Sequence, residues 1–374
     1  VRREPADPRP HWRQAVEAQG LAFHTADGQP YWDESACYAF TPEEIDALEA
    51  ATYRLDAMCL QAVEHVIAER RFAEVGIPAA FAGFVADSWE RDEHTLYGRF
   101  DLAYDGSGPP KLLEYNADTP TALLEAAVVQ WFWLRDTHPQ ANQFNSLHEH
   151  LIEAWGILME TRGPRWHFAA ARGNLEDFLT VSYLRDTAVQ AGLDTEYLDV
   201  DDIGWHAGRG CFTDLRERAV ENLFKLYPWE WLFREEFGAH LPRGATRWLE
   251  PPWKAVLSNK GVLAVLWDLY PDSPYLLRAG FELWGDRYVR KPQHGREGAN
   301  VTVVVDGRPL VETGGPFGGG PWVYQELRPL PDFSGHYPVL GSWMVNGYAC
   351  GLGIREDPAF VTRNTSRFVP HYFP

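Results

Sequence analysis

The feature that most restricts how this chain can fold is a dense turn with a β-type run on either side. Asp105-Gly-Ser-Gly-Pro-Pro110 separates Thr95–Tyr104 from Lys111–Asn116. Glycine supplies positive φ, aspartate bonds its own backbone and proline withholds an N–H, so no helix runs through such a segment. The two flanks are therefore expected to return on one another as a hairpin. Strand side chains alternate faces, so Arg99 and Asp101 share one face, and Glu114 and Asn116 share one face of the returning strand. If the register aligns these faces, two carboxylates, an amide and a guanidinium converge. Two carboxylates and an amide oxygen are hard ligands suited to Mg²⁺, which also keeps water and phosphate oxygens. The arginine is suited to holding a transferring phosphoryl group or acyl phosphate. The plainer alternative is a solvated hairpin face with an ordinary salt bridge.

The rest of the chain can be read around this hairpin. Its 374 residues suffice for two or three lobes at roughly 100–200 residues per domain. No internal repeat is present. Residues 1–40 read as an irregular N-terminal arm anchored by Tyr31-Trp32. Thr41 is a plausible N-cap, with Pro42 at the first helical position and Glu44 completing a capping box. Ile45, Leu48, Leu55, Met58, Ala62, Val66 and Ile67 keep helical spacing to about Ala73, and Gly76-Ile77-Pro78 ends the helix. Pro120 is expected to open an apolar helix reaching about Arg135, and a second covers Ser146 to Thr161. Strand Trp166–Ala171, turn Arg172-Gly173-Asn174, helix Asp177–Gln190 and strand Thr195–Val200 make a βαβ-like middle. Beyond about Leu249 come a helix at Lys260–Leu269 and strands at Tyr288 running into a loop at Gly298, Val301–Val305, Trp322–Leu330 and Tyr337–Ile354. Gly314–Gly320 is a linker. The expected class is thus mixed, α+β or α/β, divided as 1–40, 41–165, 166–250 and 251–374.

Charge and composition exclude several functions. A formal charge of −19 disfavours a broad nucleic-acid surface and suits solubility or small cationic partners. The longest apolar segment, Ala122 to Leu134, carries Glu125 and Gln130, so no membrane span is expected. Cys37, Cys59, Cys211 and Cys350 are widely separated and form no CxxC pair, which argues against structural zinc and fits a reducing cytoplasm. Val1 to His11 is charged and proline-rich, without a signal-peptide core. Asn300-Val-Thr and Asn364-Thr-Ser match the glycosylation pattern but mean little without such a signal. The 16 tryptophans are expected mainly in the core and between lobes.

Two further segments are candidates for chemistry. Asn116-Ala-Asp-Thr-Pro-Thr121 joins a strand to a helix N-terminus, a place that favours anions; the alternative is simple capping by Asp118 or Thr119. Arg290-Lys-Pro-Gln-His-Gly-Arg-Glu-Gly-Ala-Asn300 runs from a strand into a glycine-containing loop able to cover nucleotide phosphates, although GxxxxGK[ST] is absent. His294 reads as a loop residue rather than a general base. Gly-x-Ser-x-Gly and His-Glu-x-x-His are also absent, which makes a hydrolase the weakest option.

Taken together, these segments resemble the glutathionylspermidine synthase family. The most distinctive stretch is Lys111-Leu-Leu-Glu-Tyr-Asn-Ala-Asp-Thr-Pro-Thr121. Asn259-Lys260, Lys291 to Asn300, Tyr324-Gln-Glu-Leu327 and Gly353-Ile-Arg-Glu-Asp357 follow in the family's order. The ending Thr362 to Tyr372 resembles the single-domain branch without an amidase domain. The resemblance covers roughly residues 30 to 374. It implies an ATP-grasp fold with permuted element order, a nucleotide-binding C-terminal part with a lid at 290–300, and ATP-dependent joining of a carboxylate to an amine. It places Asp101, Glu114 and Asn116 on magnesium ligands, and Arg99 beside the reacting phosphoryl group. Lys260 and Lys291 fall on nucleotide lysines, Arg296 in the lid, Gln325, Glu326 and Leu327 on the hinge strand that meets adenine, and Arg355 on a late active-site arginine. Thr119 and Thr121 stand where small hydroxyl residues touch substrate. Glu176 and Asp177 correspond to the paired acids of the peptide and polyamine pocket. Lys225-Leu-Tyr-Pro228 departs from the pattern, with an apolar residue where a hydroxyl contact is expected.

The implied cofactors are ATP and Mg²⁺, and the implied partners are a small peptide-like carboxylate and an amine. The alternatives are a catalytically silent ATP-grasp relative that binds nucleotide as a scaffold or regulator, and an aromatic-rich sugar-binding module. The first predicts nucleotide binding without magnesium-dependent turnover. The second predicts ligand binding that nucleotide does not affect.

Overall fold

The computed structural model describes residues 1–26, 28–363 and 366–374. Asn364 and Thr365, in the second glycosylation match and the ending motif, lie outside the described residues. The hairpin forms as the turn chemistry requires. Tyr97–Ala103 and Lys111–Asn116 pair antiparallel. Tyr97–Ala103 pairs on its other side with Tyr337–Val345, which continues to Tyr348–Asp357 and Arg367–Phe368. This gives a five-stranded antiparallel sheet.

A second five-stranded antiparallel sheet follows the order Ala279–Gly280, Trp322–Glu326, Tyr288–Pro292, Thr302–Val305, Arg308–Glu312. Its strands supply the first part of the β-rich region after Leu249, and the strands from Tyr337 on belong to the first sheet. The middle is a four-stranded parallel sheet ordered Arg247–Leu249, Asn222–Leu226, Arg165–Ala170, Asp194–Asp199. Helix Leu175–Gln190 is the crossover between Arg165–Ala170 and Asp194–Asp199, as a parallel pair needs.

Helix Pro42–Ala68 begins with the expected capping box at Thr41 and Glu44. It stops short of Ala73. Arg70 turns to a φ of 56° and ends the hydrogen-bond ladder. The helix buries Ile45, Leu48, Leu55, Met58, Ala62 and Val66 in the core that also takes Leu340, Leu352 and Ile354 of the first sheet. Each of the larger of these side chains contributes roughly 1.5–3 kcal/mol on burial. A hydroxyl pair, Thr52 with Ser342 at 2.6 Å, fixes the helix against the strand.

Two expectations need correction. Residues 1–40 are not irregular throughout: Arg2–Pro5 pairs with Ala36–Ala39, which pairs with His371–Tyr372, and Trp12–Ala18 is helical. The pairing partners lie far along the chain, so local sequence does not reveal the strands. Pro120 does not open the next helix either. Ala122 holds a left-handed φ of 65°, and helix begins only after it, with a π-helical turn at Glu125–Val129 leading into Gln130–Thr137.

Trp32, Trp133, Trp155, Trp166, Trp229 and Trp343 are among the largest fully buried side chains, in keeping with a packing role. The four cysteines are unpaired thiols. No helix among the described residues is long and apolar enough to cross a membrane.

Candidate active site

The hairpin register places Asp101 opposite Glu114 and Arg99 opposite Asn116. Arg99 donates from Nε to Asp101 Oδ1 at 2.6 Å and from Nη2 to Oδ2 at 3.1 Å. Its Nη1 donates to the Thr121 carbonyl at 2.6 Å. Asn116 Nδ2 donates to Asp101 Oδ2 at 3.1 Å, which leaves its carbonyl oxygen as the free end. Glu114 pairs with Lys260 at 3.0 Å. Burial alone would push the Glu114 carboxyl up, but Lys260 and Lys291 overturn that and hold it down at about 2. The acid is therefore ionised and available to a cation.

Lys260 stands just ahead of helix Gly261–Leu269 and donates to the Gly295 carbonyl at 2.6 Å, tying that helix to the 290–300 loop. Lys291 is buried on Tyr288–Pro292. It donates to Gln325 Oε1 at 2.8 Å and to the Leu113 carbonyl at 3.0 Å. Burial pulls its pKa down to about 8, with Glu114 opposing and Lys260 adding repulsion. Gln325 closes the link by donating to the Leu112 carbonyl at 3.0 Å. The two sheets are thus joined through polar side chains of Tyr288–Pro292 and Trp322–Glu326 that reach carbonyls of the edge strand Lys111–Asn116.

Two cavities meet at Asp101, Glu114, Lys260, Gly295 and Gly298. The first, about 360 Å³, is an apolar slot between the two five-stranded sheets. Leu113, Val289, Val303 and Val339 form its walls, and Gln325, Glu326 and Leu327 run along it. A slot of this kind suits a flat aromatic ring. The second, about 380 Å³, is polar and reaches Arg99, Asn116, Thr119, Thr121, Glu176, Asp177, Arg296 and Arg355.

In the second cavity Arg296 donates to Thr119 Oγ1 at 2.9 Å and to Glu230 Oε1 at 2.8 Å, and its guanidinium lies over the Trp231 ring. Its Nε is buried without a partner among the described residues, as is that of Arg355. Arg355 Nη2 is in contact with the Arg363 carbonyl. Two cationic side chains lining one polar cavity constitute an anion-accepting wall. Opposite them, Glu176 and Asp177 occupy the first turn of helix Leu175–Gln190, which Asn174 caps by accepting from Asp177 N at 3.2 Å. Burial and the neighbouring Glu176 raise Asp177 to about 7, against the pull of Arg296. His294 also lines this cavity, and burial lowers its pKa.

All the residues expected from sequence line one or both cavities, but they are not all in mutual contact. Arg99, Asp101 and Asn116 form one bonded group, Glu114 and Lys260 a second, Lys291 and Gln325 a third, Arg296 and Thr119 a fourth. Thr121 contributes its carbonyl rather than its hydroxyl. Glu176, Asp177 and Arg355 bond to none of the others. Asp118 is not an N-cap: its carboxylate takes Lys225 Nζ at 2.6 Å and Trp229 N at 3.0 Å, buried beneath the 116–121 turn. Leu226 lines the polar cavity where a hydroxyl contact was expected, while Lys225 points away into this pair. Sequence reasoning missed Lys225 and Glu230, because their partners are 107 and 66 positions away.

A family model described as "Glutathionylspermidine synthase preATP-grasp" matches residues 3–374. A Haemophilus influenzae protein that bears the name of an acid–amine ligase is 43% identical over 93% of this chain and 92% of its own length. The trypanothione synthetase of Crithidia fasciculata is 32% identical over 75% of this chain, a match spanning 48% of that protein. Among solved structures, a glutathione synthetase-like effector from Globodera pallida superposes with a TM-score of 0.59 at 11% identity, covering 98% of both chains. At that identity the likeness concerns the fold alone.

Proposed function

The chain belongs to the glutathionylspermidine synthase family, and on that premise we propose that it is an ATP- and Mg²⁺-dependent carboxylate–amine ligase working through an acyl phosphate. The observation that carries this reading is the meeting of an apolar slot and a polar, arginine-walled cavity at Asp101, Glu114 and Lys260. The slot between two antiparallel sheets is read as an ATP-grasp nucleotide site with permuted element order. In this reading the part from 251, with its lid at 290–300, serves the nucleotide, and the middle lobe 166–250 serves the substrates.

Asp101, Glu114 and the free oxygen of Asn116 fit a hard cation, because all three donors are oxygens and two of them belong to carboxylates. Mg²⁺ held there would offset charge on the phosphate oxygens during transfer. Lys260, Lys291 and Arg296 neutralise the nucleotide phosphates, and Gln325, Glu326 and Leu327 border the base. Arg99 and Arg355 hold the substrate carboxylate against the γ-phosphoryl group. A carboxylate oxygen attacks that phosphorus, ADP leaves, and the acyl phosphate forms. The amine nitrogen then attacks the carbonyl carbon and inorganic phosphate departs. The surplus amine proton passes to Asp177, whose pKa near 7 suits a general base. Glu176 and Asp177 give the amine an anionic berth, and Thr119 and Thr121 border the acid. Arg296 ties the 290–300 loop to Thr119 and Glu230 beside the polar cavity, the place from which a lid would keep water from the acyl phosphate.

The names of the family and relatives make glutathione with spermidine the first acid–amine pair to test. The unpaired thiols suit a reducing compartment, and the cytoplasm is proposed. The test begins with thermal unfolding in magnesium plus ADP or a non-hydrolysable ATP analogue, for wild type and Asp101→Asn. Binding at about one hundred times Kd stabilises by ~2.7 kcal/mol. A magnesium-dependent shift that weakens in the variant, followed by amine-dependent ADP release, is expected. No shift at saturating nucleotide overturns the reading.

A further inference from the structure

Lys260 is bonded at both ends to one short stretch of the 290–300 loop. Its backbone N–H donates to the Gln293 carbonyl at 2.9 Å, and its Nζ donates to the Gly295 carbonyl at 2.6 Å. A lysine ammonium sits on a flexible stem, so its place is only as fixed as its partners are. The position of this ammonium therefore depends on what holds residues 293–295. The Gln293 side chain holds them. It is 2% exposed and lines neither cavity, so it touches no ligand bound there. Its Nε2 donates to the Glu74 carbonyl at 2.6 Å and to Asn259 Oδ1 at 3.3 Å. Two acceptors on one side assign the amide nitrogen to that end. Asn259 Oδ1 also accepts from Gly261 N at 2.9 Å, and Asn259 Nδ2 donates to the Ala255 carbonyl at 3.1 Å. The residue ahead of Lys260 is thereby held as well.

The anchor is itself braced. Arg71 donates to the Glu74 carboxylate at 2.6 Å and to Asp268, near the end of helix Gly261–Leu269, at 2.9 Å. The packing around the amide leaves no slack. A Cβ at Gly261 would stand 2.6 Å from Gln293 Nε2, 2.7 Å from Asn259 Oδ1 and 3.0 Å from the Glu74 carbonyl oxygen. At the other end of its side chain, Lys260 pairs with Glu114 at 3.0 Å, where the two cavities meet. We propose that Gln293 is a positioning residue for the nucleotide: by fastening residues 293–295 to Glu74 and Asn259, it sets the Lys260 ammonium between Glu114 and the phosphates. This inference rests on the ligase reading and on Lys260 as a nucleotide lysine. Gln293 acts through Lys260 and touches neither nucleotide nor substrate.

The test is a double-variant cycle on MgADP affinity, read as the ADP concentration that half-saturates the rise in melting temperature of the full chain. Gln293→Met keeps the length of the side chain and loses both donated hydrogen bonds. It should raise that concentration about tenfold, within the coupling range of residues that share a hydrogen-bond network. In Lys260→Met no ammonium is left to place, and there the same change should raise it less than about twofold. A substitution that merely loosened the fold would instead cost the same factor in both backgrounds. Gly261→Ala, which displaces the amide and leaves Gln293 in place, should repeat the loss, and it carries the same cycle if Gln293→Met does not fold. A wild-type chain with no MgADP shift overturns the ligase reading and this inference with it. A wild-type shift that Gln293→Met leaves intact, or an equal loss with and without Lys260, overturns this inference alone.

Discussion

Replacing Asp118 by Ala strands the ammonium of Lys225 in the protein interior. Both side chains are 1% exposed, and they meet at 2.6 Å beneath the 116–121 turn. Asp118 also accepts from Trp229 N, so the same change leaves a buried backbone donor without a partner. Burial pushes the Asp118 carboxyl up against the pull of Lys225, and pushes Lys225 down against the pull of Asp118. Both groups are thus moved toward their neutral forms, which means that desolvation outweighs the attraction between them. A pair of this kind is expensive to break and of little net value when intact. Asp118→Ala is expected to destabilise by about 3–5 kcal/mol, a large fraction of the roughly 5–15 kcal/mol that holds an ordinary domain. Asp118→Leu combined with Lys225→Met should lose less than Asp118→Ala, because no charge is left stranded. Urea unfolding followed by tryptophan fluorescence and by circular dichroism measures both, and Trp229, whose ring lies 4.4 Å from Lys225 Nζ, reports locally. The reasoning is refuted if Asp118→Ala costs under about 1 kcal/mol or if the double variant is the less stable of the two.

Glu125 is buried in the π-helical turn, where burial raises its pKa from 4.5 to about 7 although Tyr31 donates to it at 2.7 Å. The folded chain therefore holds a proton that the unfolded chain releases. Its contribution to stability is full below about pH 4.5, declines up to about pH 7 and is flat above, about 3 kcal/mol in all. Glu125→Gln should consequently gain on wild type between about pH 5 and pH 8 in urea midpoints, and an equal difference at both would refute this. A Cβ at Gly341 would stand 2.7 Å from Arg99 Cδ, on the strand position opposite Asp101. Gly341→Ala should displace the guanidinium and lower kcat by about a hundredfold; unchanged steady-state kinetics would count against Arg99 as a substrate-holding group. Lys291→Met removes a buried ammonium from the nucleotide slot and should weaken ADP binding by about tenfold to a hundredfold, read by calorimetry, and unchanged affinity would move the phosphates elsewhere.

Local chemistry was enough wherever the determining residues are neighbours. The hairpin follows from the dense turn at Asp105–Pro110, although it takes a register shift between Asp101 and Leu102 to set Asp101 against Glu114. The capping box at Thr41 and Glu44 and the strand, turn and helix of residues 165–190 form as their residue types require. Where sequence reading failed, the missing information was distant or sterically unusual. Arg2–Pro5 is a strand because Ala36–Ala39 lies beside it. The helix after Asn116 starts late because Ala122 adopts a left-handed conformation that no local signal announces.

The sequence by itself determined that Arg99 and Asp101 share one face of a strand and Glu114 and Asn116 one face of its return; a register shift between Asp101 and Leu102, seen only in the structure, brings those two faces together. Only the tertiary structure decided what surrounds them. Lys260 and Lys291, which hold Glu114 ionised, come from a helix and a strand beyond residue 250, and Lys225 seals Asp118 from 107 positions away. Long-range ion pairs have no periodic signature, because their geometry is set when separate sheets pack and desolvate the charges together.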